Sequence, residues 1–186
     1  AMVPVLAYLD TQVGVIQAMD QPVATNEWDA VHQCRVATRR LRSLVKTFRP
    51  LFDEDFSRHV RGELKWYAAA LGEMRDGEVL DEHLRATATA VLGSDHPEMF
   101  QVLESDHTQA HDQILEVQAS PRFEILHDLL ARLVWDPPLT PMAAREGTQV
   151  LPALAQAQLG AAGKAYLRAL QATPSTGEVR EGDVAL

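Results

Sequence analysis

The apolar positions of this chain recur with a helical period along most of its length. From Val3 to Met19, the residues Val5, Leu6, Leu9, Val13, Ile16 and Met19 fall mostly three or four apart, which places them on one face of an α-helix. Asp20 to Asn26, with Pro22 inside it, reads as a turn, and Asn26 is placed to cap a helix starting at Glu27. No Gly or Pro interrupts Val31 to Arg49, so that stretch is predicted as one continuous helix that ends near Pro50. Asp53 to Leu71 is helical again, with Phe56, Val60, Leu64, Tyr67 and Leu71 on one side; Gly72 and Gly77 weaken the pattern before Glu78 to Leu92 resumes it. Gly93-Ser94-Asp95 marks a break, and His96-Pro97 opens a helix to about Gln118. Ser120-Pro121 pairs an N-cap with Pro at the first helical position, for a helix to about Trp135. The stiff loop from Asp136 to Pro141 leads into an Ala-rich helix, Ala143 to Ala172, with a break expected near Pro152. Residues 173–186 read as a linker-like tail. No segment alternates with period two, so the predicted fold is all-α, a bundle of roughly six to eight helices.

Composition agrees. A chain of 186 residues suits a single domain over 1–186, and 46% apolar residues supply a core, while 6% aromatics favour helices over a sandwich or barrel. The lone cysteine, Cys34, excludes an intramolecular disulfide and fits a reducing compartment; on the apolar side of its helix it reads as a core residue. There is no uninterrupted apolar run of spanning length and no basic-then-apolar leader, so a soluble cytoplasmic protein with no membrane partner is expected. Ala1 before Met2 looks like a cloning remnant.

Charge changes the picture most. Val31 to Arg49 carries six Lys/Arg (Arg35, Arg39, Arg40, Arg42, Lys46, Arg49) and no acid, in a chain of net charge −9; without those six cations the charge is −15. At ~100° per residue, His32, Arg35, Arg39, Arg42 and Lys46 share an arc of about 80°, a row about 21 Å long. Cys34, Ala37, Leu41, Leu44, Val45 and Phe48 lie opposite. Like charges at these spacings repel by a few tenths of a kcal/mol per pair, roughly, which a bound polyanion would relieve. Arginine donates paired hydrogen bonds to phosphate or carboxylate oxygens and stays charged at physiological pH. A solvated face paired with acids of neighbouring helices is the competing explanation; the lack of alternating signs counts against it.

Downstream, Arg58, Arg61, Lys65, Gly72 and Arg75 recur near helical spacing, a weaker signal that ordinary surface charge also explains. Gly72 could let a backbone or ligand come close. His107 and His111 stand four apart, but a zinc site needs three or four converging ligands, so no metal is expected. Asp53-Glu54-Asp55 is most simply charge favoured at a helix N-terminus. No Gly-rich phosphate loop, nucleophile elbow or paired catalytic carboxylate stands out.

The stretches Ala30-Val31-His32-Gln33-Cys34-Arg35-Val36-Ala37-Thr38-Arg39-Arg40-Leu41-Arg42-Ser43, Glu63-Leu64-Lys65-Trp66 and Leu71-Gly72-Glu73-Met74-Arg75-Asp76-Gly77-Glu78-Val79-Leu80 together resemble the CHAD domain, the conserved histidine α-helical domain. The resemblance implies two similar four-helix bundles with a basic channel between them that binds inorganic polyphosphate. By position, His32, Arg35, Arg39, Arg42, Lys46, Lys65 and Arg75 would line it, with Arg40 off the stripe at a packing or rim position. The family's second basic helix has no counterpart in residues 81–186. The expectation is therefore a chain truncated on its C-terminal side, holding the first bundle and part of the second. Its uncovered apolar surface would be exposed or buried by self-association, including a swap of C-terminal helices between two copies. The family also implies a frequent CYTH-type neighbour domain, and a cytoplasmic setting that extends to polyphosphate granules. The expected function is non-catalytic polyphosphate binding, with no cofactor, that targets or regulates a parent protein. The alternatives are a substrate-holding accessory to a phosphohydrolase or triphosphatase, and a nucleic-acid module, which the acidic surroundings and the lack of stacking rings in the row disfavour.

Overall fold

A computed structural model describes residues 1–92 and 97–172, with side chains apart from those of 75–82, 85, 89, 92, 97–107 and 165–172. Among the described residues there are seven α-helices and no strand: α1 (Met2–Ala18), α2 (Asp20–Ala24), α3 (Ala30–Thr47), α4 (Glu54–Leu92), α5 (Pro97–Gln118), α6 (Pro121–Trp135) and α7 (Gly147–Ala172). Two 3₁₀ turns, Arg49–Leu51 and Pro141–Ala144, complete the order. The break expected at Gly93-Ser94-Asp95 and the tail at 173–186 lie outside the described residues.

The predicted apolar stripes become the core. Val5, Leu9, Val13 and Ile16 of α1 meet Val31, Cys34, Ala37, Leu41 and Val45 of α3, while Val60, Leu64, Tyr67 and Leu71 of α4 pack with Ile114 of α5 and Leu126, Leu130 and Leu133 of α6. Each fully buried Leu or Ile contributes roughly 1.5–3 kcal/mol. The stretch Met2–Ala24 is long and apolar enough, by length and composition alone, to cross a membrane. In this fold, Val5, Leu9, Val13, Ile16 and Val23 of that stretch are core residues.

Several local expectations change. Asp20–Asn26 is not a plain turn, because α2 forms within it; Pro22 sits in the first turn, where its missing N–H leaves no gap in the ladder. Gln118 Nε2 donates to the Asp20 carbonyl at 3.0 Å and His111 Nε2 lies 3.1 Å from the Ala24 carbonyl, pinning α2 to α5. His127 Nε2 of α6 stands 3.2 Å from Asp20 Oδ2 without a hydrogen bond between them. Asn26 does not cap α3, which begins at Ala30 rather than Glu27. Asn26 (φ 54°) and Asp29 (φ 64°) both take the left-handed conformation that these short polar residues tolerate, and they turn the chain sharply into the helix.

Gly72 and Gly77 do not divide α4, which runs unbroken for 39 residues, about 58 Å. A mid-helix Gly costs about 1 kcal/mol relative to Ala. The packed row from Phe56 through Met74, all buried, outweighs that cost. Pro152 likewise lies within α7 without ending it, and residues 143–146, expected to be helical, belong instead to the second 3₁₀ turn and the junction after it. Ser120 is the N-cap expected for α6, its side chain accepting from the Phe123 N–H at 3.2 Å. A corner joins the two 3₁₀ turns: Asp53 N–H donates to the Pro138 carbonyl at 2.8 Å, Thr140 N–H to Leu51 at 3.0 Å, and Thr140 Oγ1 to Pro50 at 2.6 Å. This corner fixes the start of α4 against the end of α3.

Candidate anion-binding groove

Helices α3 and α4 lie side by side, each burying one stripe and leaving a flank free. On α3 the buried stripe is Cys34, Ala37, Thr38, Leu41 and Val45, which turns Arg39, Arg42 and Lys46 outward. On α4, burial of Val60, Leu64 and Tyr67 does the same for Arg58, Arg61 and Lys65. Both triplets have the spacing i, i+3, i+7, so each forms a line on its own helix. The two lines border one cleft of about 470 Å³, lined by Arg39, Arg42, Ser43, Lys46, Arg58, Arg61, Gly62 and Lys65. No carboxylate lines it. Its other lining residues, Ser43 and Gly62, are small, and a Cβ added at Gly62 would find nothing within 4 Å.

The charges are largely unanswered. Arg58 pairs with Asp55 at 2.7 Å and Glu54 at 3.1 Å. These bonds, that to Glu54 foremost, raise the Arg58 pKa beyond its already high value. Arg39, Arg42, Lys46, Arg61 and Lys65 have no ion-pair partner among the described residues. Glu63, the acid nearest Lys65 in sequence, is drawn to the far side of α4. There Arg122 of α6 donates to it through Nε at 2.6 Å and Nη2 at 3.2 Å, while stacking 4.4 Å over the Trp66 ring. A cleft bordered by five or six cations with free N–H donors suits a chain of phosphate groups, each offering several acceptor oxygens.

The remaining expected residues are distributed differently. Arg35 is half-buried and turned toward α4, donating from Nη1 to the Gly72 carbonyl at 3.2 Å. A Cβ on Gly72 would stand 3.4 Å from that nitrogen, in contact with the Arg35 guanidinium, so a larger side chain there would crowd it. His32 is exposed near the start of α3 and does not line the cleft. The Arg75 side chain and His107 lie outside the described side chains. Arg40 is exposed on the other flank of α3, in a hollow of about 510 Å³ with Tyr8, Leu44 and Phe48 that meets the cleft at Arg39 and Ser43. Cys34 is fully buried, its Sγ 3.5 Å from the Tyr67 hydroxyl, and burial pushes its thiol pKa up to about 11.

The family model of the CHAD domain matches residues 7–182. The chain belongs to the CHAD family. An uncharacterized protein of Mycobacterium tuberculosis, found in strains CDC 1551 and H37Rv, is 36% identical over 88 residues, 47% of this chain and 17% of the relative. The chain thus matches less than a fifth of the length of these relatives. Among solved structures, PptA from Streptomyces chartreusis superposes with a TM-score of 0.68 at 25% identity, covering 87% of this chain and 59% of that one. Within the CHAD family frame, the motif residues of α3 divide into three groups here: Arg39, Arg42 and Lys46 in the cleft, Arg35 in the α3–α4 junction, and Arg40 on the opposite flank.

Arg58, Arg61, Ser43 and Gly62 were not among the expected site residues. The signal for the two arginines was present in sequence: with Lys65 they repeat the spacing of Arg39, Arg42 and Lys46. Among the described residues no group of three or more His, Cys, Asp or Glu converges as a metal site.

Proposed function

We propose that this domain binds inorganic polyphosphate along the α3–α4 cleft without transforming it, and thereby targets or regulates the protein that carries it. The observation that carries this reading is the pair of facing cation triplets, Arg39-Arg42-Lys46 and Arg58-Arg61-Lys65, around a cleft with no lining carboxylate. Membership of the CHAD family supports the choice of polyphosphate among polyanions. The chemistry supports it too: the lining offers charge and N–H donors, and neither an aromatic ring for stacking a base nor a side chain suited to be a general base.

The test is titration of the protein with labelled long-chain polyphosphate, competed by single-stranded DNA of matched charge, beside Arg42→Glu/Lys65→Glu. That variant reverses one cation on each wall. Tight binding of polyphosphate, weak competition by DNA and loss in the variant are expected. Equal competition by DNA would point to a general polyanion or nucleic-acid site, and unchanged binding in the variant would place the ligand elsewhere.

A further inference from the structure

On the polyphosphate reading, the stretch of groove that the polymer occupies depends on the lining beyond Arg58 and Arg61. Arg58 and Arg61 border not only the cationic cleft but also a neighbouring one of about 430 Å³, lined in addition by Arg49, Pro50, Phe52, Asp53, Glu54, Ser57 and Thr140. The two share those arginines, so the groove continues past them toward the corner of the 3₁₀ turns. Its chemistry does not continue. Donors in the second cleft are already committed: Ser57 Oγ donates to the Glu54 carbonyl at 3.0 Å and Thr140 Oγ1 to the Pro50 carbonyl at 2.6 Å. Arg58 is held by Glu54 and Asp55. Asp53 and Glu54 bring negative charge to the lining, and Arg49 is its one cation beyond Arg58 and Arg61.

We infer that Glu54 and Asp55 form an end stop: by holding Arg58 across the junction and repelling phosphate beyond it, they fix where the bound polymer leaves the groove and so how many phosphates one domain covers. Asp53 adds to the negative lining but also accepts the Phe56 N–H at 3.0 Å as a helix cap, so it is kept in the test to preserve the start of α4. The stop acts at close range. Glu54 and Asp55 have side chains 88% and 86% exposed, so screening confines their influence to neighbours within about one Debye length, roughly 8 Å.

The experiment compares the protein as it stands with Glu54→Gln/Asp55→Asn, using polyphosphates of graded length. The wild type should gain affinity with length and then level off. In the variant, levelling should come at a longer chain, with affinity for long chains about threefold tighter or more. The salt dependence should steepen by about 0.7 in log–log slope for each cation newly engaged. Arg58→Ala, made in both backgrounds, closes a double-mutant cycle: most of the gain should vanish when Arg58 is absent. Circular dichroism confirms folding of each variant. If wild type and variant level off at the same length with the same slope, the end stop is wrong while the groove stands. A gain that persists in full without Arg58 would also overturn it, because a general field effect would then suffice. Failure of the wild type to bind polyphosphate at all would remove the functional reading, and the end stop with it.

Discussion

Salt dependence offers the sharpest check on the groove, because its size can be worked out from the residues that line it. Five lining cations, Arg39, Arg42, Lys46, Arg61 and Lys65, have no ion-pair partner among the described residues. Each one neutralised by a flexible polyanion contributes about −0.7 to the slope of log K against log salt. Five give a slope of about −3.5, so raising monovalent salt from about 50 to about 200 mM should weaken binding about 100-fold. Fluorescence anisotropy of end-labelled polyphosphate measures this directly. Arg42→Ala should flatten the slope by about 0.7. Arg40→Ala removes the same charge from a position outside the cleft lining, across Arg39 from it, and should flatten the slope clearly less. The comparison separates a site from a field: both variants change net charge equally, but only Arg42 borders the cleft. A wild-type slope near −1, or equal flattening by the two substitutions, would refute the assignment of these cations to one site.

Other consequences bear on the frame that holds the groove. Leu64→Ala, at a fully buried position of α4, should lower stability by about 2–5 kcal/mol in urea denaturation. Gly72→Val should lower the melting temperature by crowding the Arg35 guanidinium, whereas Gly62→Ala, which faces open space, should leave stability intact. Cys34 should resist thiol reagents at pH 8 until the protein unfolds, since burial favours its neutral form. Its folded pKa of about 11 exceeds the ordinary 9.0, so the stabilisation it gives is complete below about pH 9 and is lost as pH rises toward 11; chemical denaturation across that window should show declining stability, less so in Cys34→Ala.

How much of this was legible in the sequence depends on the scale of the signal. Helix type and buried faces were readable because a stripe such as Val60, Leu64, Tyr67 and Leu71 carries a strong period, and all four are buried. Local punctuation was less reliable. Gly72 reads as a weak point in a helix, but the side chain that packs against it and donates to its carbonyl, Arg35, lies 37 positions earlier. Asn26 has cap chemistry, yet its backbone is left-handed and the helix starts at Ala30. The α3 half of the groove was visible as an acid-free basic run. The α4 half was obscured by Glu63, Glu54 and Asp55 among its cations, because sequence does not show that Arg122 draws Glu63 away or that the acids at the start of α4 hold only Arg58.

The separation of charge within this molecule reaches beyond a single binding event. A domain with net charge −9 that lines one cleft with five cations lacking an ion-pair partner among the described residues has a receptive side within an acidic chain. Several copies seated on one long polyphosphate chain would each direct their acidic remainder outward and toward their neighbours. Mutual repulsion would then space them along the polymer, and the coated chain would keep a negative outer surface. Such a coat would hold the particles apart as a colloid, whereas a uniformly basic binder would neutralise the polymer and drive it to coacervate.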